Sequence, residues 1–246
     1  MMLALLLIPS GCALLCLVLP PRWALAANAA AAVAALGVSA ALAEAVLSTG
    51  TVQQAAAGYL RADGLNVVFA FVVAAASAVA ALIGVNSFER ETGTAPHARR
   101  YAVLASGLLA ALLCTVLSDH LGVMWIAMEL SAVLGAFLVG FRGDRAGLEA
   151  AFKYMILGSA GLVFSLLATS FVYQAGVKVL GHGDAALSFE RLREVGPSLH
   201  PGTMRIALAL AAAGYGLKIG LFPLHVWKPD AYAAAPAPVT GAGAAA

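Results

Sequence analysis

Long apolar runs separated by short polar breaks set the pattern of this chain. The runs predict helices at about 2–19, 24–48, 65–86, 101–118, 121–141, 149–173 and 203–223. Each is close to the roughly 20 residues that a helix needs to cross a bilayer core. In that medium a spanning segment must satisfy its own backbone N–H and C=O groups. Alanine and leucine fill the runs, and both are strong helix formers. The two-residue alternation of a membrane β-barrel is not seen. The expectation is an all-α, polytopic membrane protein of about seven transmembrane helices.

The breaks between runs are legible too. Pro20-Pro21 ends the first helix, because neither proline can continue it. The loop 49–64 holds Thr51, Gln53, Gln54, Arg61 and Asp63, and the loop 87–100 is the most charged stretch. Ser118-Asp119-His120 is so short that helices four and five must lie antiparallel and adjacent. Loop 142–148 carries Arg142, Asp144 and Arg145. Loop 174–202 is the longest and predicts a short surface helix around Ser188–Val195. Leu3–Leu19 followed by Ala24-Leu25-Ala26 imitates a secretory signal, but no Lys or Arg precedes Arg22, so a retained first helix is expected. The Lys and Arg distribution favours an outside N-terminus. Arg22, Arg90, Arg99, Arg100, Arg142, Arg145 and Lys228 then face the cytoplasm, and Arg61, Lys178, Arg191, Arg193 and Arg205 face the opposite side.

Composition sharpens the class. Hydrophobic residues make up 62% of the 246 and charged residues only 11%, about half the charge of a soluble domain. A formal net charge of +2 gives no reason to expect a nucleic-acid partner. Cys12, Cys16 and Cys114 all sit in apolar runs and read as small buried hydrophobes. There is no Cys-x-x-Cys, Gly-x-Gly-x-x-Gly or Walker pattern, so no metal or redox cofactor is expected in this chain.

With so few charges, those inside the apolar runs matter most. A charge at the centre of a span costs at least about 2.5–3.5 kcal/mol. Glu129 stands eight residues past Leu121, roughly 12 Å along the helix at 1.5 Å per residue. It reads as a protonatable relay or a partner for a buried cation, against a neutral carboxyl that only packs. Lys218 lies in a stretch weakened by Gly214, Gly216 and Gly220, and Pro223 cannot donate to the carbonyl of Ile219. A broken helix carrying a lysine resembles transporter ion sites; a snorkelling lysine is the alternative. Lys153 is about one turn into helix six, where snorkelling competes with a role on a proton path. His225 follows the proline as either a relay or a loop histidine. Glu44 suits an interfacial position, and Asp230 suits an anchor for the turn after Trp227.

Three segments together carry a family resemblance. They are His120-Leu-Gly-Val-Met-Trp-Ile-Ala-Met-Glu129, Leu148-Glu-Ala-Ala-Phe-Lys-Tyr-Met-Ile-Leu-Gly-Ser159, and Gly214-Tyr-Gly-Leu-Lys-Ile-Gly-Leu-Phe-Pro-Leu-His-Val-Trp227 with its continuation through Pro229-Asp-Ala231 and Ala235-Pro-Ala-Pro238. They resemble the antiporter-like proton-translocating subunits of respiratory complex I and of energy-converting [NiFe] hydrogenases, most of all hydrogenase-4 component F. The resemblance implies a central proton-transfer pair at Glu129 and Lys218, polar groups near the path at Lys153 and His225, and a discontinuous seventh helix. Lys228 and Tyr232 depart from it, where leucine and histidine are usual. It also implies a longer protein of two inverted repeats. Residues 1–100 would be three leading helices, and 101–246 an incomplete first repeat, so the chain reads as a fragment, a short gene product or one half of a split subunit.

The functional expectation is a proton-translocating subunit in a bacterial inner membrane, NADH:quinone oxidoreductase-like or hydrogenase-like. Its partners would be other membrane subunits, and it would hold no redox centre. A cation/proton antiporter subunit shares the same helices, and an inactive membrane scaffold is the third reading.

Overall fold

A computed structural model describes the backbone of residues 1–92 and 95–243 and the side chains of 1–85 and 97–240. In chain order the helices are α1 (Met2–Cys16), α2 (Pro21–Thr49), α3 (Gly64–Thr92), α4 (Ala95–Leu117), α5 (Leu121–Val139), α6 (Arg145–Leu180), α7 (Phe189–Glu194), α8 (Pro201–Ile219), α9 (Lys228–Ala234) and α10 (Ala237–Gly243). All seven expected segments are helical. Five helices, α2 to α6, are long and apolar enough to cross a membrane. The apolar α1 is shorter, with 15 residues, and Arg205 and Lys218 lower the hydropathy of α8. The chain is a multi-pass membrane protein.

Several boundaries differ from the sequence reading. Pro21 is the first residue of α2, a position where its missing N–H costs nothing. The helix ends at Gly50, in the left-handed region at φ 65°, whose N–H reaches the Val46 carbonyl. The expected loop 87–100 is largely helical, with α3 running to Thr92 and α4 starting at Ala95; the side chains of Glu89, Arg90 and Glu91 lie outside the described residues. Helix α6 continues to Leu180, seven residues into the expected long loop. The surface helix near Ser188–Val195 is present as α7, capped by the Ser188 hydroxyl on the Arg191 N–H.

The loop 49–64 holds a hairpin that the all-α expectation omits. Strand β1 (Gln53–Ala55) pairs antiparallel with β2 (Leu60–Ala62), Gln54 opposite Arg61. Its turn carries Ala56 and Ala57 at φ 52° and 56°. The hairpin, the α4–α5 turn and the α7 segment meet at one end of the bundle. The Asp119 N–H donates to Tyr59 O at 2.9 Å, and the Phe189 N–H donates to Asp119 O at 2.7 Å. Arg61 is buried there, 3.8 Å from Asp119, 3.5 Å from Asp63 and 3.9 Å from Glu190. Asp119, also buried, accepts from Ser188 Oγ at 2.5 Å and from the Glu190 N–H at 3.2 Å. Gln54 donates to Glu190. Tyr59 donates to Asp184 at 2.6 Å, and that bond to a carboxylate holds its phenol above the usual range.

The bundle core is built from small residues. Leu5, Ala35, Leu42, Val67, Ala70 and Leu113 are fully buried among α1 to α4. Asn28 of α2 accepts from Ser106 of α4 at 2.8 Å inside this layer. Cys12 and Cys16 are free and buried, with sulfurs 3.8 Å apart.

Between α6 and α8 the backbones nearly touch. A methyl group added at Gly214 would stand 2.5 Å from Ser165 N and 2.6 Å from Gly161 O. Helices in lipid associate through such small-residue contacts. At Gly216, two residues away, a methyl group meets the Leu224 side chain at 3.4 Å and Leu221 at 3.8 Å, both ordinary contacts. Gly214→Ala is therefore expected to lower stability by about 1–3 kcal/mol, the usual range for overpacking, while Gly216→Ala stays near the parent. Thermal unfolding of the detergent-purified chain checks this; equal midpoints for both variants would contradict it.

Candidate functional site

The site forms where α8 stops. Gly220 closes the helix at φ 67°. Its N–H donates to Leu217 O at 3.3 Å, and the Leu221 N–H reaches back to Gly216 O at 2.8 Å. This is the paired termination that glycine makes possible. The break thus falls at Gly220, three residues before Pro223. Turns follow through Trp227, and the chain resumes as α9. The Trp227 indole donates to Leu217 O at 2.9 Å, so a carbonyl at the break has a donor from beyond it.

Lys218 is in the last turn of α8 and only partly buried. Its ammonium lies 3.5 Å from the Tyr154 hydroxyl of α6 and 5.6 Å from that ring's centre. The Tyr154 ring stands edge-on to Trp227 at 4.9 Å. Gly135 of α5 leaves room for the phenol, since a methyl group there would meet Tyr154 Oη at 2.8 Å. These groups border a cavity of about 290 Å³, with Ser131, Tyr154, Lys218, Lys228, Tyr232 and Thr240 as its polar walls and Leu108, Leu112 and Leu138 among its apolar ones. Such a volume is ample for water.

Glu129 is in the middle of α5 and partly buried. One turn earlier, the Trp125 indole donates to Leu162 O at 2.9 Å and ties α5 to α6. No hydrogen bond or ion pair joins Glu129 to Lys218 among the described residues, and Glu129 is not part of the cavity wall.

The other two expected residues lie elsewhere. Lys153 is exposed and held at 2.9 Å by both Glu149 and Asp230. This pairing makes Asp230 an anchor between α9 and α6. His225 is exposed beside Phe222, with ring centres 5.6 Å apart, and its ring makes no hydrogen bond among the described residues. Glu44 is exposed near the end of α2. Sequence reasoning passed over Tyr154, Ser131 and Thr240. Only Tyr154 carried a signal, as a phenol inside an apolar run next to Lys153. Among the described residues no group of three His, Cys, Asp or Glu side chains is placed to hold a metal ion.

Comparison with known proteins places this site in context. Residues 118–244, which contain Glu129, Lys153, Lys218 and His225, match the NADH:quinone oxidoreductase/Mrp antiporter transmembrane family. The chain is 32% identical over 182 residues to a hydrogenase-4 component F homolog of Methylacidiphilum infernorum, covering 72% of this chain and 38% of that protein. It is 33% identical over 183 residues to NADH-quinone oxidoreductase subunit N of Brevibacillus brevis, covering 74% of this chain and 34% of that one. In respiratory complex I from Thermus thermophilus one chain superposes with a TM-score of 0.75 at 25% identity, over 100% of this chain and 52% of that one. The chain thus spans between a third and a half of the length of these relatives. By its motif-bearing half and its fold, the chain belongs to the NADH:quinone oxidoreductase/Mrp antiporter membrane family.

Proposed function

We propose that the chain is a proton-translocating membrane subunit of a respiratory redox complex, NADH:quinone oxidoreductase-like or hydrogenase-like, and that protons move through Glu129 and Lys218. The observation that carries this reading is the Lys218 amine at a broken helix end, on a water-sized cavity. An ammonium there is expensive to keep charged without a partner. A carboxylate on the neighbouring helix offsets that cost to a degree set by their separation. Small changes in separation, driven from partner subunits, shift which group holds the proton. Lys153 is assigned to the edge of this path, where Asp230 and Glu149 fix its charge, and His225 to the exit side of the break.

In this proposal the complex sits in a bacterial inner membrane with the N-terminus outside. Residues 1–100 form leading helices, and 101–246 form the part of a repeat that carries the proton groups. Partner subunits supply the electron transfer. The chain reconstituted alone into vesicles is therefore expected to show neither quinone reduction nor redox-driven proton movement. Quinone reduction by the isolated chain would overturn that division of labour. The test of the function itself is proton movement in the assembled complex, driven by its own electron donor and followed with a pH-sensitive dye.

A further inference from the structure

The cavity beside Lys218 has a second amine in its wall. Lys228 opens α9, directly after the turns that break the helix. Its stem lies across Gly220, with Cε, Cδ and Cγ only 2.7, 2.8 and 3.2 Å from where a methyl group on that glycine would be. The stem is thereby fixed against the break, and the ammonium is 5.7 Å from the Trp227 ring centre. The nearest acid in sequence, Asp230, is engaged by Lys153. Among the described residues neither Lys218 nor Lys228 forms an ion pair. The hydroxyls of Tyr154, Tyr232, Ser131 and Thr240 line the space between the elements.

Two amines on one small cavity, with no carboxylate in its wall, cannot both carry a proton at low cost, since like charges disfavour each other's charged forms. From this geometry we infer that Lys228 is a second proton carrier in the same path. This inference rests on the proposed function. The N–H bond at Lys218 breaks as its proton passes to a water or hydroxyl oxygen in the cavity, and that oxygen releases a proton to the lone pair of Lys228, so one proton crosses the cavity, each oxygen is left as it began, and the net charge is unchanged. The second carrier lies beyond the helix break, so the hop moves the proton past the discontinuity.

Lys228→Met keeps the unbranched stem over Gly220 and removes the amine. In the assembled complex it is expected to cut donor-driven proton translocation at least about tenfold at unchanged abundance, a conservative figure for loss of a proton-transfer group. Lys228→Cys should show the same loss. Attaching an aminoethyl group to that sulfur should restore translocation, and a trimethylammonium-ethyl group should not, since it carries charge but no exchangeable proton. The parent treated with both reagents controls for the native cysteines. Equal restoration by the two reagents, or a Lys228→Met variant matching the parent, overturns the inference. A low-abundance Met variant leaves the reagent comparison on Lys228→Cys to decide. A parent that moves no protons overturns the proposed function and this inference together. A parent that moves protons beside an equally active Met variant overturns this inference alone.

Discussion

Lys218→Met is expected to abolish donor-driven proton translocation while the complex still assembles at parental abundance. Methionine keeps an unbranched side chain of similar length, so contact with Tyr154 at the end of α8 is largely retained. The amine in the last turn of α8 is lost, and with it the proposed proton partner of Glu129. No ion pair to Lys218 is broken among the described residues, so expression and the melting temperature should stay near those of the parent. Proton movement measured with a pH-sensitive dye, beside abundance on a blot, separates the two effects. A variant that pumps like the parent makes Lys218 a structural lysine.

Asp119→Ala is expected to have the largest effect on stability. The side chain is 3% exposed and faces Arg61, itself 6% exposed, at 3.8 Å. It also accepts from Ser188 Oγ and the Glu190 N–H, so one carboxylate joins the α4–α5 turn to the α7 segment and to the hairpin arginine. Arg61 keeps Asp63 and Glu190 nearby but loses one of its three carboxylates, and the Ser188 hydroxyl and Glu190 N–H lose their acceptor, at a cost of about 1–3 kcal/mol for each buried polar group left unsatisfied. The measurement is the thermal unfolding midpoint in detergent. Arg61→Met in the Asp119→Ala background should recover only the part of the loss that comes from the buried arginine, because the Ser188 and Glu190 donors still lack their acceptor. If the single variant unfolds like the parent, the cluster contributes nothing to holding the loops together.

Hydrophobic run length made the membrane helices legible, because the bilayer demands one solution, a helix of about 20 apolar residues. It could not show where helices stop in water. Helix α6 passes its apolar run by seven residues although Gly176, Val177 and Val179 are weak helix formers, because Ala175 and Gly176 pack against Leu192 and Ala186 of the following segment, and the helix ends at Gly181. The hairpin in 49–64 was hidden for the opposite reason. Gln53–Ala55 and Leu60–Ala62 are too short for a period to register, and long-range partners, Ser118 opposite Leu60 among them, hold them in place. Pro223 and the glycines before it both mark the break in the final motif, and it is Gly220 at which the helix ends, since it adopts the left-handed conformation. Arg61 and Asp119 were visible only as loop charges. Their burial depends on three segments distant in sequence meeting at one end.

The rarity of charge inside apolar runs pointed to Glu129 and Lys218, because the bilayer makes a purposeless charge costly; Lys218 lines the cavity and Glu129 does not. The same argument gave weaker guidance at Lys153 and His225, which lie near segment ends, and both are exposed. The cavity wall was not legible at all. Tyr154, Ser131 and Thr240 are unremarked residues in apolar or loop surroundings, brought together only by the packing of α5, α6 and α10 around the end of α8.

The central claim is that Glu129 and Lys218 act as one proton-transfer unit. A double-mutant cycle in the assembled complex tests it most directly, with proton translocation per electron measured for Glu129→Gln, Lys218→Met and the two combined. Groups that act as a unit give strongly non-additive losses. The account predicts that each single variant loses nearly all translocation and that the double variant loses no more than either. Independent, additive losses, or a Glu129→Gln variant that pumps at the parental ratio, would contradict it.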